Sequence, residues 1–168
     1  YLNKVAGTGI DMIGLDASLV FVYRDEYIKA LGEDKVQFKV DLLSEWLIKQ
    51  EVNVEFVAEQ HNVTLLSHCT EKSIVNSVDK DWQSIFARFG LKLNTKATGC
   101  CGMAGTFGHE KQNQSMSKSL YKMSWQPTLA SMSDETVVAT GFSCRSQVKR
   151  FDGKRLLHPI QLLAQLIK

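Results

Sequence analysis

Several things are missing from this chain of 168 residues, and each absence removes a class of function. No run of apolar residues approaches the roughly 20 needed to cross a bilayer. The first residues, from Tyr1, mix polar and apolar types, so they do not read as a secretory leader. The chain reads instead as a domain cut from a longer protein. Charge of one sign is also lacking. With 20 Lys and Arg against 18 Asp and Glu, the net charge is only +2, too weak for a nucleic-acid binder. The basic group Lys149, Arg150, Lys154 and Arg155 reads as a solvated helix end. No internal repeat and no low-complexity segment is evident. The glycines at 102, 105 and 108 lack the G-x-G-x-x-G spacing of a dinucleotide loop. Close Cys-x-x-Cys pairs, the mark of a zinc ribbon, are absent too; Cys144-Arg145-Ser146-Gln147 has the spacing but ends in glutamine.

What is present is a pair of adjacent cysteines, Cys100 and Cys101, inside Gly99-Cys100-Cys101-Gly102-Met103-Ala104-Gly105. Neighbouring side chains diverge, so such a pair serves one compact core poorly. Flanking glycines let the backbone turn tightly or approach a bulky group. Gly99, Gly102 and Gly105 are accordingly expected to line a cofactor. Two further cysteines, Cys69 and Cys144, lie far away on either side. The absence of a leader and a core of ordinary size favour reduced thiols, which bind metals or do redox chemistry.

The hydrophobic pattern gives those cysteines a common place. Ile10–Asp16 reads as a buried strand, Ser18–Leu31 as a helix stopped by Gly32, and Val40–Lys49 as a second helix. Val54–Ala58 and Val63–Ser67 are strand-like, the second being suited to a central strand. A helix from about Glu71 to Phe89 carries Ile74, Val75, Val78, Trp82, Ile85, Phe86 and Phe89 on one stripe. Leu91–Thr95 is a short strand. Glu110–Ser124 reads as a helix with Met116, Leu120 and Met123 on its apolar face, ending near Pro127. Thr136–Thr140 is a strand followed by a short helix, and His158-Pro159 starts the last helix, His158 capping or packing.

Strands alternating with helices imply an α/β fold, a largely parallel open sheet flanked by helices. Each cysteine position follows a strand and precedes a helix. The cysteines therefore lie at the carboxyl edge of the strands, where open α/β sheets bind ligands. Four thiolates suit an iron–sulfur cluster or tetrahedral zinc; unpaired core thiols are the blander alternative. His68 and His109 are candidates to line the site. The methionines 103, 116, 123 and 132 read as core filling.

His68-Cys69, Cys100-Cys101-Gly102-Met103-Ala104-Gly105 and Cys144-Arg145-Ser146-Gln147 resemble the cysteine-rich "CCG" domain. That domain occurs in iron–sulfur subunits of glycolate oxidase, anaerobic glycerol-3-phosphate dehydrogenase and heterodisulfide reductase. Val138-Ala139-Thr140-Gly141-Phe142-Ser143-Cys144 and His158-Pro159 look closest to FAD-linked, iron–sulfur D-2-hydroxyacid dehydrogenases of the D-lactate or D-2-hydroxyglutarate type. The resemblance covers nearly the whole chain. It implies residues 1–50 as the tail of a preceding CCG unit and 51–168 as a CCG domain. It further implies an electron-transfer module holding a cluster, 4Fe–4S in type, on Cys69, Cys100, Cys101 and Cys144, with zinc or an empty structural site as alternatives. His68, His109 and Gln147 would stand around it. FAD would lie in another domain, the other domains of the parent would be partners, and a quinone or other acceptor would take the electrons. A cytoplasmic place, or one peripheral to the inner face of the membrane, goes with that reading. Two positions depart from the family pattern: Leu19 stands where the preceding unit carries a cysteine, and Gln147 where the second unit carries its last. A vicinal disulfide between Cys100 and Cys101 is a further redox alternative.

Overall fold

The computed structural model describes residues 1–51 and 62–167; the strand expected at 54–58 lies outside them. The chain divides into two compact units, Tyr1–Glu51 and Val52–Lys168. Both are α/β with parallel strands, as the alternating pattern implied.

The first unit contains α1 (Leu2–Ala6), β1 (Met12–Gly14), α2 (Ala17–Phe21), α3 (Tyr27–Leu31), β2 (Val40–Leu42) and α4 (Leu43–Leu47). A π-helical turn, Val22–Glu26, joins α2 to α3 within the run expected as one helix. β1 and β2 pair in parallel, Met12 opposite Val40 and Gly14 opposite Leu42. Two sequence expectations fail here. The β1 region is not buried: Ile10 is 65% exposed and Leu15 63%. And Val40–Leu42 is strand, with the helix beginning only at Leu43. The helical spacing of Leu42, Leu43, Trp46 and Leu47 hid the junction, because Val40 and Leu42 also satisfy a two-residue period. Arg24 fixes this junction. Its Nε donates to Val40 O at 2.7 Å and its guanidinium grips both oxygens of Glu45, which in turn accepts from Leu42 N–H at 2.9 Å.

The second unit is built on a three-stranded parallel sheet ordered β4–β3–β5, from β3 (Val63–Leu66), β4 (Leu93–Thr95) and β5 (Thr136–Ala139). Every residue of β3 is buried, as befits a central parallel strand covered on both faces. Between the strands run α5 (Cys69–Ile74), α6 (Val78–Arg88) and α7 (Gln114–Ala130); α8 (Phe142–Asp152) and α9 (Pro159–Leu166) follow β5. Trp82, Ile85 and Phe86 of α6 are buried, as their stripe required.

The expected helix 71–89 is broken after Ile74, which is 56% exposed. Its second half has its own start: Ser77 precedes it, and Asp79 and Asp81 occupy the first turn, where carboxylates favour the positive end of a helix. α7 corrects the sequence reading twice. It runs past Pro127 to Ala130, and it buries Ser117, Tyr121, Trp125 and Leu129 while Met116 and Met123 are 59% and 76% exposed. The methionine face was the wrong one because the core face begins with a serine. His158 is the N-cap of α9, accepting from Ile160 N–H through Nδ1 at 3.2 Å, with Pro159 next to it.

Candidate functional site

All cysteine positions of the second unit follow carboxyl ends of the parallel strands. Cys69 is the first residue of α5, after β3; Cys100 and Cys101 lie in the loop after β4; Cys144 is in the first turn of α8, after β5. All four thiols are reduced and unbridged. They form two pairs. Cys101 and Cys144, both buried, share a hydrogen bond and sit in the core beside Leu66, Tyr121 and Trp125. Cys69 and Cys100, both exposed, share another. The pairs feel one another electrostatically: Cys69 acts on Cys144, and Cys101 on Cys100. Two thiols thus lie in the core and two at the surface, all at the carboxyl ends of the strands.

The electrostatics of the inner pair are asymmetric. Cys144 donates to Cys101 and lowers its pKa to about 7; burial opposes this, and the Met103 N–H and Ser143 hydroxyl support it. Cys144, as the donor, is pushed well up, with burial and the neighbouring Cys101 and Cys69 adding to the effect. Burial also raises Cys100, against a hydrogen bond from Gly102 N–H to its sulfur at 3.3 Å. Of the inner pair Cys101 therefore loses its proton first, and Cys144 keeps its own.

Two glycines make the arrangement sterically feasible. Gly102 has φ +84°, and a Cβ there would lie 2.2 Å from the backbone oxygen of Ser117. The cysteine loop thus rests directly on the backbone of α7, and the Ser117 side chain is enclosed in turn: a Cβ at Gly108 would lie 2.8 Å from its Oγ, which accepts from Gln147. Gly141 needs its hydrogen for a different reason. A Cβ there would lie 2.4 Å from His68 Cδ2 and 2.9 Å from Cys144 Sγ.

The flanking residues expected to matter are distributed unevenly. His68 is buried, its backbone N–H bonding Thr140 Oγ1 at 2.9 Å and its Nε2 lying 3.3 Å from Ser143 Oγ. It touches the thiols through Ser143 and the Gly141 turn. Gln147 is fully buried; its Nε2 donates to Cys101 O at 3.0 Å and Ser117 Oγ at 2.8 Å, while its Oε1 has no hydrogen-bond partner among the described residues. Gln147 therefore fastens the backbone of the cysteine loop. His109 is exposed at the end of a 3-10 turn and makes no hydrogen bond to a thiol among the described residues. Gly99 accepts from Trp125 Nε1 at 3.0 Å, and Gly105 lies exposed at the loop tip. In the first unit, Leu19 is 54% exposed on α2, after β1.

Sequence reasoning missed Ser143, Ser117 and the buried Thr140–Glu71 hydrogen bond that ties the end of β5 to α5. Only Ser143 carried a signal, its position next to Cys144.

Thiolates are donors that suit either zinc or an iron–sulfur group. Among the described residues no three Cys, His, Asp or Glu side chains are arranged to hold one metal ion. A lone zinc needs its ligands around one tetrahedral point, whereas a cluster offers separate irons to separate thiolates.

Comparison with known proteins gives consistent relatives. The chain is 47% identical over 169 residues to a D-2-hydroxyglutarate dehydrogenase of Pantoea ananatis, covering 99% of the chain and 16% of that protein. It is 43% identical to the Escherichia coli K12 protein of the same name, covering 100% of the chain and 17% of the relative. A more distant match, 25% identical, is a subunit of the anaerobic glycerol-3-phosphate dehydrogenase of Escherichia coli K12, covering 98% of the chain and 42% of that subunit. The chain thus spans about one sixth of the length of the dehydrogenases it matches. No family model matches it, and no solved structure does. From end to end the chain is homologous to a segment of these oxidoreductases, the kinship its cysteine motifs implied.

Proposed function

We propose that this chain is an iron–sulfur electron-transfer module of a larger, FAD-linked dehydrogenase acting on a D-2-hydroxyacid such as D-2-hydroxyglutarate. Cys69, Cys100, Cys101 and Cys144 are its ligands, and a 4Fe–4S cluster is the group they hold. Such a cluster supplies one-electron redox chemistry between flavin and acceptor. The protein's own part is positional. The buried pair anchors the site in the core, and the exposed pair leaves it open at the surface, where a flavin domain and a quinone or other acceptor can approach. The parent works in the cytoplasm or peripherally on the inner face of the membrane. No helix among the described residues is long and apolar enough to cross a membrane.

The observation that carries this reading is the placement of four thiols after the carboxyl ends of three neighbouring parallel strands. Names of the relatives supply the dehydrogenase and its substrate class. Anaerobic preparation and reconstitution test it. The expected result is a brown protein with about four iron and four sulfide per chain, and an EPR signal on reduction. Cys101→Ser is expected to abolish iron retention. Failure of iron reconstitution, with stoichiometric zinc instead, overturns the proposal.

A further inference from the structure

Beside α8, on the face turned away from Cys144, lies an open cleft of about 370 Å³. Three cations line it: Arg145 and Lys149 from α8, and Arg155 from the segment leading to α9. Ser146 and Gln161 add a hydroxyl and an amide, and Phe142, 65% exposed, adds a ring at one side. Among the described residues no acid lines the cleft. The acid at the end of α8, Asp152, is already taken: Tyr121 OH donates to one of its oxygens and Gln126 Nε2 to the other at 3.3 Å. Among the described residues neither Lys149 nor Arg155 has a hydrogen bond or ion pair from its side chain to any partner. Lys149 and Arg155 are thus like charges on one concavity with no acid among its described lining residues, an arrangement that an anion joining them would relieve.

We propose that this cleft binds a small dianion, carboxylate or phosphate, that also presents an apolar part to Phe142. The volume suits a small metabolite rather than a macromolecular surface. Lys149 and Arg155 hold the two charges from opposite walls, and Ser146 and Gln161 set orientation. Arg145 links the cleft to the sheet, since its Nη1 donates to Ala139 O and Thr140 O, each at 2.7 Å. The ligand thus sits beside the end of β5, one residue from Cys144, yet needs no thiol. The proposal goes beyond the electron-transfer reading and stands or falls without it.

The test uses the reduced 168-residue chain at low salt, with and without reconstituted iron, and titration calorimetry with inorganic phosphate, pyrophosphate and succinate. At least one probe is expected to bind with Kd below about 1 mM. Preference for pyrophosphate assigns a phosphate ligand; preference for succinate assigns a dicarboxylate. Both Lys149→Gln and Arg155→Gln are expected to weaken that binding about tenfold, the scale of one lost charge-assisted hydrogen bond. These residues are exposed, so folding is expected to survive, checked by an unchanged Tm. Lys92→Gln, an exposed lysine outside the cleft, is the control. The proposal is overturned if none of the probes binds, if Arg155→Gln binds like the parent, or if Lys92→Gln weakens binding equally.

Discussion

At the scale of single residues, the site depends on atoms that are absent as much as on thiols. Gly102→Ala would drive a Cβ against the Ser117 carbonyl, a backbone atom with little room to retreat, at a φ that L side chains rarely adopt. Its cost is expected to be about 2–3 kcal/mol, read as a lower urea midpoint together with lost iron loading. Gln147→Leu is expected to cost about 1–3 kcal/mol by leaving the Cys101 carbonyl and Ser117 hydroxyl without their donor. Proton chemistry is also local. In the metal-free reduced protein Cys101 ionises near pH 7, below its ordinary value of 9.0. A depressed pKa means that its stabilising effect is complete above 9.0 and is lost as pH falls through about 7. Cys144 is shifted upward, so above its ordinary value of 9.0 it acts in the opposite sense. Stability is therefore expected to rise from pH 7 toward 9 and then to fall. Cys144→Ala removes the donor and is expected to move the thiolate absorbance transition of Cys101 to higher pH; an unmoved transition would refute the donor assignment.

Among the elements, the junction of β2 and α4 is the place where one side chain decides two structures. Arg24 bonds the end of the strand and the first turn of the helix at once. Arg24→Leu is expected to destabilise the first unit by about 1–2 kcal/mol, the partly exposed setting of the pair limiting the loss. The same cluster predicts acid sensitivity. Burial pushes Asp41 and Glu45 up, but Lys39 and Lys49 around Asp41, and Arg24 with the Leu42 N–H around Glu45, more than offset it, leaving both below their ordinary 3.8 and 4.5. Depressed carboxyl pKa values give stability that is present above those ordinary values and lost below them. Amide exchange of residues 40–47 is expected to accelerate as pH falls below about 4, corrected for the intrinsic pH dependence, and less so in Arg24→Leu.

Considered as a whole, the second unit gathers its thiols only by folding, because the cysteines follow the ends of three different strands. A group that binds the folded state and not the unfolded chain must stabilise the fold. Iron reconstitution is expected to raise Tm, and to raise amide protection most in the segments 67–70, 96–109 and 140–146. Removing the metal with a chelator should reverse both effects, and Cys69→Ser should blunt them. Equal gains in the first unit, which contains no cysteine, would argue against a local ligand effect.

Much of this architecture was legible in the chain. Periodicity marked β3, β4, β5 and the carboxyl-edge placement of the cysteines, since strand–helix alternation allows few topologies. The amphipathic stripe of α6 and the cap at His158 were equally readable, being set by local spacing. Where two periods overlapped, at Val40–Leu42, pattern could not choose between strand and helix, and pairing with β1 decided. Nor could it find the buried face of α7, because Ser117 is accommodated in the core by Gln147, 30 residues further along the chain. By itself, then, the sequence determined the parallel α/β fold, the carboxyl-edge placement of the cysteines and the kinship with dehydrogenases. Tertiary structure alone decided which thiols pair, which pair is buried, and that Gln147 fastens the loop. Those depend on distances between segments far apart along the chain, which no local spacing encodes.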